Sequence, residues 1–184
     1  RAARRGILIK GGVYLEDARK LKVIALDKTG TITEGKPKLV ATEILDQTVS
    51  EKVILDWAGS LAALSNHPVS KAISTALAPA ATVVDDFMSL PGRGVQGRIG
   101  NQDLILGNHR LIEERKLCGP AIEARLVEHE AQGRTMTLLA NESGVLAIFA
   151  VADTIKPHAR EAISTLHALG VKAVMLSGDN QATA

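Results

Sequence analysis

Residues 23–31 read Val-Ile-Ala-Leu-Asp-Lys-Thr-Gly-Thr, and no other stretch of the chain constrains its fold so tightly. A short apolar, β-branched run that ends in a carboxylate and turns at a glycine reads as a strand of a parallel sheet. Such sheets hold their ligands beyond the carboxyl ends of the strands, which is where Asp27 stands. A carboxylate placed there can act as a nucleophile and accept a phosphoryl group, splitting one difficult hydrolysis into two easier steps. Lys28, the hydroxyls of Thr29 and Thr31 and the backbone N–H groups around Gly30 supply the positive charge and donors that a transferring phosphoryl needs, with Mg²⁺ bridging its oxygens. A lone Asp after a strand is more often a helix cap or a turn former. The five residues in this order shift the balance to phosphoryl chemistry.

The rest of the chain supplies a frame for this loop. A strand at 21–26, a helix at 156–169 and a strand at 172–176 alternate in the βαβ manner of a parallel sheet. Pro157 in the first turn and Gly170 just past the end mark the limits of that helix. Between these flanks the pattern predicts a strand at 38–45, a helix at 50–64 capped by Ser50, and a helix at 68–78 opened by Pro68. Short strands at 82–89, 94–99 and 103–106 follow, then helices at 108–115 and 119–132 and a hairpin over 135–151 turning at 141–144. The expected architecture is an antiparallel sheet with helices on one side, inserted into an α/β lobe. Its expected divisions are 1–34 for the first part of that lobe, 35–150 for the insertion and 151–184 for the second part, joined by two hinge strands.

With 184 residues, 46% hydrophobic and 23% charged, the chain can form one large domain or two small ones. A net charge of +2 offers nothing to nucleic acid or to an anionic membrane surface. The single cysteine, Cys118, excludes an intrachain disulfide, suits a reducing compartment and is read as a loop thiol. The longest apolar stretch, 145–152, falls far short of the roughly 20 residues a membrane helix needs. The basic opening Arg1-Ala2-Ala3-Arg4-Arg5 fits a solvated tail and the cytoplasmic flank of a membrane helix equally well. The five histidines (His67, His109, His129, His158, His167) show no shared-face spacing with cysteine or carboxylates, so no metal site is expected among them.

Farther along stand Ser65-Asn66-His67-Pro68, Gly92-Arg93-Gly94-Val95, Gly107-Asn108, Gly133-Arg134-Thr135, Asp153-Thr154-Ile155-Lys156-Pro157 and Ser177-Gly178-Asp179-Asn180. Together with the Asp27 loop, this series resembles the P-type ATPases, ion pumps that cycle through an aspartyl phosphate. The His-Pro pair followed by the two-glycine segment and Gly-Asn is similar to their heavy-metal, or CPx-type, branch. The resemblance implies an α/β chain: an incomplete Rossmann-like phosphorylation lobe of the haloacid dehalogenase type, with an inserted α+β nucleotide-binding domain built on the antiparallel sheet. It further implies a soluble cytosolic fragment of a pump in the cell membrane, with ATP and Mg²⁺ as cofactors and the pump's own transmembrane and actuator domains as partners. The transported ion would be bound outside this fragment, with zinc, cadmium or cobalt expected ahead of copper.

Residue by residue, the resemblance makes Asp27 the nucleophile, with Lys28, Thr29, Thr31, Ser177, Gly178 and Asp179 around the phosphoryl group and Asp27 and Thr29 on Mg²⁺. The serine at 177 keeps the hydroxyl of the usual threonine. His67, Gly92, Gly94, Asn108 and Asp153 fall to the nucleotide, Asp153 and Lys156 also resembling the motif that hinges the two lobes. Each assignment has a physical sense. His67 opens a helix whose free N–H groups favour anions, the glycines carry no Cβ to hold a ligand away, and Asn108 both donates and accepts. Relatives of this branch usually carry a Glu five residues before the His, where this chain has Ala62. Low selectivity for ATP over GTP is therefore expected, and Ala62→Glu is expected to raise it. The family would continue past Ala184 to a phosphate-contacting Lys and a Mg²⁺-binding Asp, so the fragment is expected to bind nucleotide but to phosphorylate poorly. Two alternatives stand beside this reading. A haloacid dehalogenase-type phosphatase usually has a second Asp two residues after the nucleophile, where this chain has Thr29, and a nucleotide-binding regulatory module would have no use for Asp27.

Overall fold

A computed structural model describes residues 3–80 and 82–176. After a short 3-10 turn, the elements run α1 (Gly12–Ala18), β1 (Val23–Asp27), a wide helical turn (Lys28–Ile32), β2 (Thr33–Ile44), α2 (Glu51–Ala63), α3 (Pro68–Leu77), β3 (Asp85–Leu90), β4 (Gly94–Ile99), β5 (Gln102–Gly107), α4 (His109–Glu114), α5 (Pro120–Glu130), β6 (Thr135–Asn141), β7 (Gly144–Ile155), α6 (Ala159–Ala168) and β8 (Lys172–Leu176). Two sheets result. β1 pairs in parallel with β8, placing Asp27 opposite Leu176. The other six strands form one antiparallel sheet in the order β2-β7-β6-β5-β4-β3. Strands β2 and β7 are long enough to serve both regions: Thr33 pairs with Ile155 beside the Asp27 loop, and Ile44 pairs with Ala147 well inside the large sheet.

The large sheet is covered on both faces, not on one side as the sequence pattern suggested. Leu104 and Leu106 of β5, Leu139 of β6 and Ala147, Phe149 and Val151 of β7 pack with Ile54, Leu61 and Ile73 from α2 and α3. Their alternate neighbours Ile105, Leu138, Ile148 and Ala150 face the other way and pack with Leu111 and Ile112 of α4 and Leu126 of α5. Side chains alternate across a strand, so a strand buried on both faces reads as a continuous apolar run rather than an alternating one. That is the origin of the uninterrupted stretch at 145–152.

Burial is concentrated here. Removing one such side chain from water is worth about 1.5–3 kcal/mol, and Phe149, Leu138, Leu139 and Ile148 are all essentially inaccessible. By contrast α1 and α6 contain no buried residue, and Val23, Val174 and Leu176 of the small sheet remain exposed. Helix α1 was not expected from the sequence, because it has no apolar stripe to bury. Among the described residues no helix is long and apolar enough to cross a membrane.

Candidate nucleotide and phosphoryl-transfer site

Asp27 closes β1 in extended conformation (φ −72°, ψ 148°), and the chain then turns sharply with Gly30 at φ 75°. The side chains of Asp27, Thr29 and Thr31 are exposed. Beneath them the loop is tied to β7. The Thr33 hydroxyl, buried, donates to Asp153 at 2.5 Å and accepts from the Gly30 N–H at 3.2 Å. The second Asp153 oxygen accepts the Lys36 amide at 3.1 Å. Lys156 adds two ties, from its ammonium to the Gly30 carbonyl at 2.5 Å and from its amide to the Ile32 carbonyl at 2.9 Å. Both oxygens of Asp153 are thus engaged by the chain itself, tying the start of β2 to β7 beneath the Asp27 loop. Ser177, Gly178 and Asp179 lie outside the described residues.

A second set of residues meets on the large sheet. His67, Gly92, Gly94 and Asn108 line one open cavity of about 250 Å³, together with Val69, Val95, Leu106 and Met136. They arrive from the start of α3, the β3–β4 turn and the end of β5. His67 is the N-cap of α3, its Nδ1 accepting from the Val69 amide at 3.3 Å, which leaves Nε2 carrying the proton as a donor. Asn108 caps α4, accepting from the Leu111 amide at 3.1 Å while its amide nitrogen donates to the Gly92 carbonyl at 2.9 Å. Much of its hydrogen-bonding capacity therefore holds the glycine turn against α4.

The two glycines differ. A Cβ on Gly92 (φ +69°) would meet nothing within 4 Å, leaving the backbone open to a ligand. One on Gly94 would lie 2.3 Å from the Leu106 carbonyl oxygen, so the missing Cβ there serves the close pairing of β4 with β5. Ala62 is not among the lining residues. It is wholly buried in the apolar cluster beneath α2 and α3, so a carboxylate grafted there would start inside the core, and the structure offers no support for Ala62→Glu as an adenine contact. Ser70, Ser89, Thr135 and Thr137 also line the cavity. Sequence reasoning gave them no role, although Thr135 belongs to the Gly-Arg-Thr motif. No Phe, Tyr or Trp is among the lining residues.

A wider hollow of about 540 Å³ opens at the β4–β5 hairpin. Arg98 there donates to Asp103 at 2.7 Å and pairs with Asp86 at 3.2 Å, and no motif residue lines the hollow. A separate cluster corrects the expectation that the histidines have no cysteine or carboxylate company. His109, Cys118 and Glu123 bring one donor atom each within 4.8 Å of one another. The loop 115–119 doubles back from α4 to α5, a meeting that spacing on a single helix face does not reveal. Burial and the Glu123 carboxylate push the Cys118 thiol up to about 12, and hydrogen bonds from Cys118 and His109 hold Glu123 below the usual carboxylate range.

The chain belongs to the haloacid dehalogenase-like hydrolase family, whose family model matches residues 21–184. Within that family its relatives are metal pumps. A cadmium-transporting ATPase of Staphylococcus aureus is 36% identical over 191 residues, covering 100% of this chain and 26% of that protein. A probable copper-importing P-type ATPase of Enterococcus hirae is 40% identical over 185 residues, covering 99% of this chain and 25% of that protein. The chain therefore spans about a quarter of the length of the curated relatives it matches. Among solved structures, a zinc-transporting PIB-type ATPase in its E2.Pi state superposes with a TM-score of 0.84 at 34% identity, over 99% of this chain and 30% of that one. The catalytic domain of a CPx-ATPase shares the fold, with a TM-score of 0.70 at 23% identity.

Proposed function

We propose that this chain is the ATP-binding, phosphoryl-accepting cytosolic region of a heavy-metal P-type ATPase in the cell membrane. The observation that carries the reading is the convergence of His67, Gly92, Gly94 and Asn108 on one cavity, on a sheet whose strands β2 and β7 run directly into the hinge beneath Asp27. A volume of about 250 Å³ lies below the usual range of roughly 300–1,000 Å³ for pockets that enclose a drug-sized ligand. It suits an adenosine moiety with its phosphates projecting outward. Val69, Val95, Leu106 and Met136 provide apolar contact for the base, the His67 Nε2 proton a donor, and the open Gly92 turn a close backbone approach. The division into 1–34, 35–150 and 151–184 is part of this reading, supported by the separation of the two sheets. The exposed apolar face of β1 and β8 supports further chain of the pump covering the small sheet.

In the reaction, a carboxylate oxygen of Asp27 attacks the γ-phosphorus in line. The bond to the β,γ-bridging oxygen breaks, ADP departs with that electron pair, and water later opens the acyl phosphate to phosphate and the free carboxylate. The Asp27 carboxylate is exposed and makes no hydrogen bond to another described residue, so it is available to the incoming group. Asp27 and Thr29 offer oxygen donors only, the set that Mg²⁺ takes; when bound, the cation offsets charge on the phosphoryl oxygens. Lys28, Thr29 and Thr31 surround the same point, and Ser177, Gly178 and Asp179 are assigned to it by motif. Cadmium and copper pumps both stand among the relatives, and the preference for zinc, cadmium or cobalt over copper stays a proposal for the residues that bind the ion elsewhere in the pump.

The test uses two variants. In the full-length pump, Asp27→Asn is expected to abolish the acid-stable phosphoenzyme while nucleotide binding persists. In the chain studied by titration calorimetry, His67→Ala is expected to weaken ATP binding about tenfold, the loss of one hydrogen bond of about 1–1.5 kcal/mol. Phosphate label retained in the Asn variant, or ATP affinity untouched by His67→Ala, would overturn the assignment.

A further inference from the structure

His109 is the first residue of α4, Cys118 stands in the loop that follows, and Glu123 lies in the first turn of α5. The imidazole Nε2 is 2.8 Å from the Glu123 Oε1, the Cys118 Sγ is 3.1 Å from the same oxygen, and Sγ and Nε2 are 3.4 Å apart. Glu113, one helical turn beyond His109, places an oxygen 3.9 Å from Nε2. None of these residues lines the nucleotide cavity. We propose that His109, Cys118 and Glu123 form a binding site for a borderline-soft divalent cation of the zinc or cadmium class, with Glu113 or water in the fourth position.

Three properties carry the proposal. The donor set is one imidazole nitrogen, one sulfur and one carboxylate oxygen, a combination that zinc takes and that magnesium and calcium do not. The spacing also fits. Tetrahedral zinc, with bonds of about 2.0–2.3 Å, sets its ligand atoms roughly 3.4–3.6 Å apart. The His109 nitrogen and the Glu123 oxygen, now 2.8 Å apart, need to part by about half an ångström or slightly more, and the sulfur by less, since a single cation replaces the hydrogens that now lie between them. Finally, the charge closes. The thiol proton is released to solvent as the sulfur–metal bond forms, and the imidazole proton moves from Nε2 to Nδ1, freeing the Nε2 lone pair. With water in the fourth position, thiolate and carboxylate neutralise the dication, so a partly buried site carries no net charge. All three side chains are half-buried, close enough to the surface for a hydrated ion to enter.

Because Cys118 is the single cysteine of the chain, thiolate-to-metal absorption can come from no other residue. Titrating the reduced protein with Co²⁺ is expected to produce a 1:1 complex with a thiolate-to-cobalt charge-transfer band, which one equivalent of Zn²⁺ abolishes. Cys118→Ser should remove the band. Glu123→Gln, which keeps the shape of the carboxylate, and His109→Ala should each weaken binding at least about tenfold, with circular dichroism unchanged in Glu123→Gln. Absence of the band from the reduced wild-type protein at stoichiometric Co²⁺ would overturn the proposal. So would a band whose titration is unaffected by both His109→Ala and Glu123→Gln.

Discussion

Gly92 and Gly94 stand two residues apart in one motif, yet their lack of a side chain answers different needs. Gly92 has a left-handed φ and empty space where a Cβ would sit, whereas a Cβ at Gly94 would collide with the backbone of β5. Gly92→Ala is therefore expected to cost only the left-handed strain of about 1–2 kcal/mol and to act mainly on nucleotide affinity. Gly94→Ala adds overpacking of about 1–3 kcal/mol against backbone that cannot move aside. Urea denaturation of the two variants should rank Gly94→Ala as the less stable, and equal midpoints would refute the distinction. The motif was plain in the sequence. The two reasons for it were not, because the position of the Leu106 carbonyl relative to Gly94 is a property of strand pairing.

At the scale of elements, α5 shows how a weakly apolar helix is held on a sheet. It buries only Leu126 and His129, and a polar clamp supplements them. His129 donates from Nε2 to Glu43 of β2 at 2.8 Å while its Nδ1 accepts from Arg134 at 3.0 Å, an arrangement that fixes the tautomer because Arg134 can only donate. Arg125 donates to the other Glu43 oxygen at 2.5 Å. The His129 hydrogen bond, followed by that of Arg125, holds the Glu43 carboxyl below its ordinary value against the opposing effect of burial. A carboxylate whose pKa is depressed by folding stabilises the folded state fully above the unfolded value, about 4.3, and loses that contribution as pH falls through the folded value. Glu43→Gln is thus expected to lower the melting temperature at pH 7, with the gap to wild type closing as the pH is taken below about 4. A gap that stays constant over thermal melts from pH 7 to pH 3 would assign the effect to something other than the Glu43 charge.

Across the whole molecule, the small and large sheets meet through β2 and β7, and the Asp153 carboxylate joins the two strands at their crossing. Accepting from Thr33 and from the Lys36 amide, it fixes the Asp27 loop relative to the strands that lead to the cavity lined by His67 and Asn108. Removal of a hydrogen bond to a charged group costs about 1.5–3 kcal/mol. In Asp153→Ala the Lys36 amide should therefore exchange with solvent roughly tenfold faster or more, while amides of the cavity-lining β4 and β5 keep their protection. Unchanged exchange at Lys36 would exclude Asp153 as the hinge tie.

What the sequence determined by itself was everything carried by local chemistry. The β-branched run into Asp27, the proline and glycine at helix ends and the period of the apolar residues placed nearly every element and singled out the Asp27 loop. The order of the motifs led to the family. Only the tertiary structure decided which surfaces those elements share. The large sheet is covered on both faces, Ala62 is buried, Asn108 spends its amide on the glycine turn, and His109, Cys118 and Glu123 meet across a loop. The physical reason is range. Propensity, capping and periodicity act over a few residues, and each leaves its trace in the order of the chain. Pairing between strands and packing between helices join residues far apart in sequence, so their partners are set only once the whole core has closed.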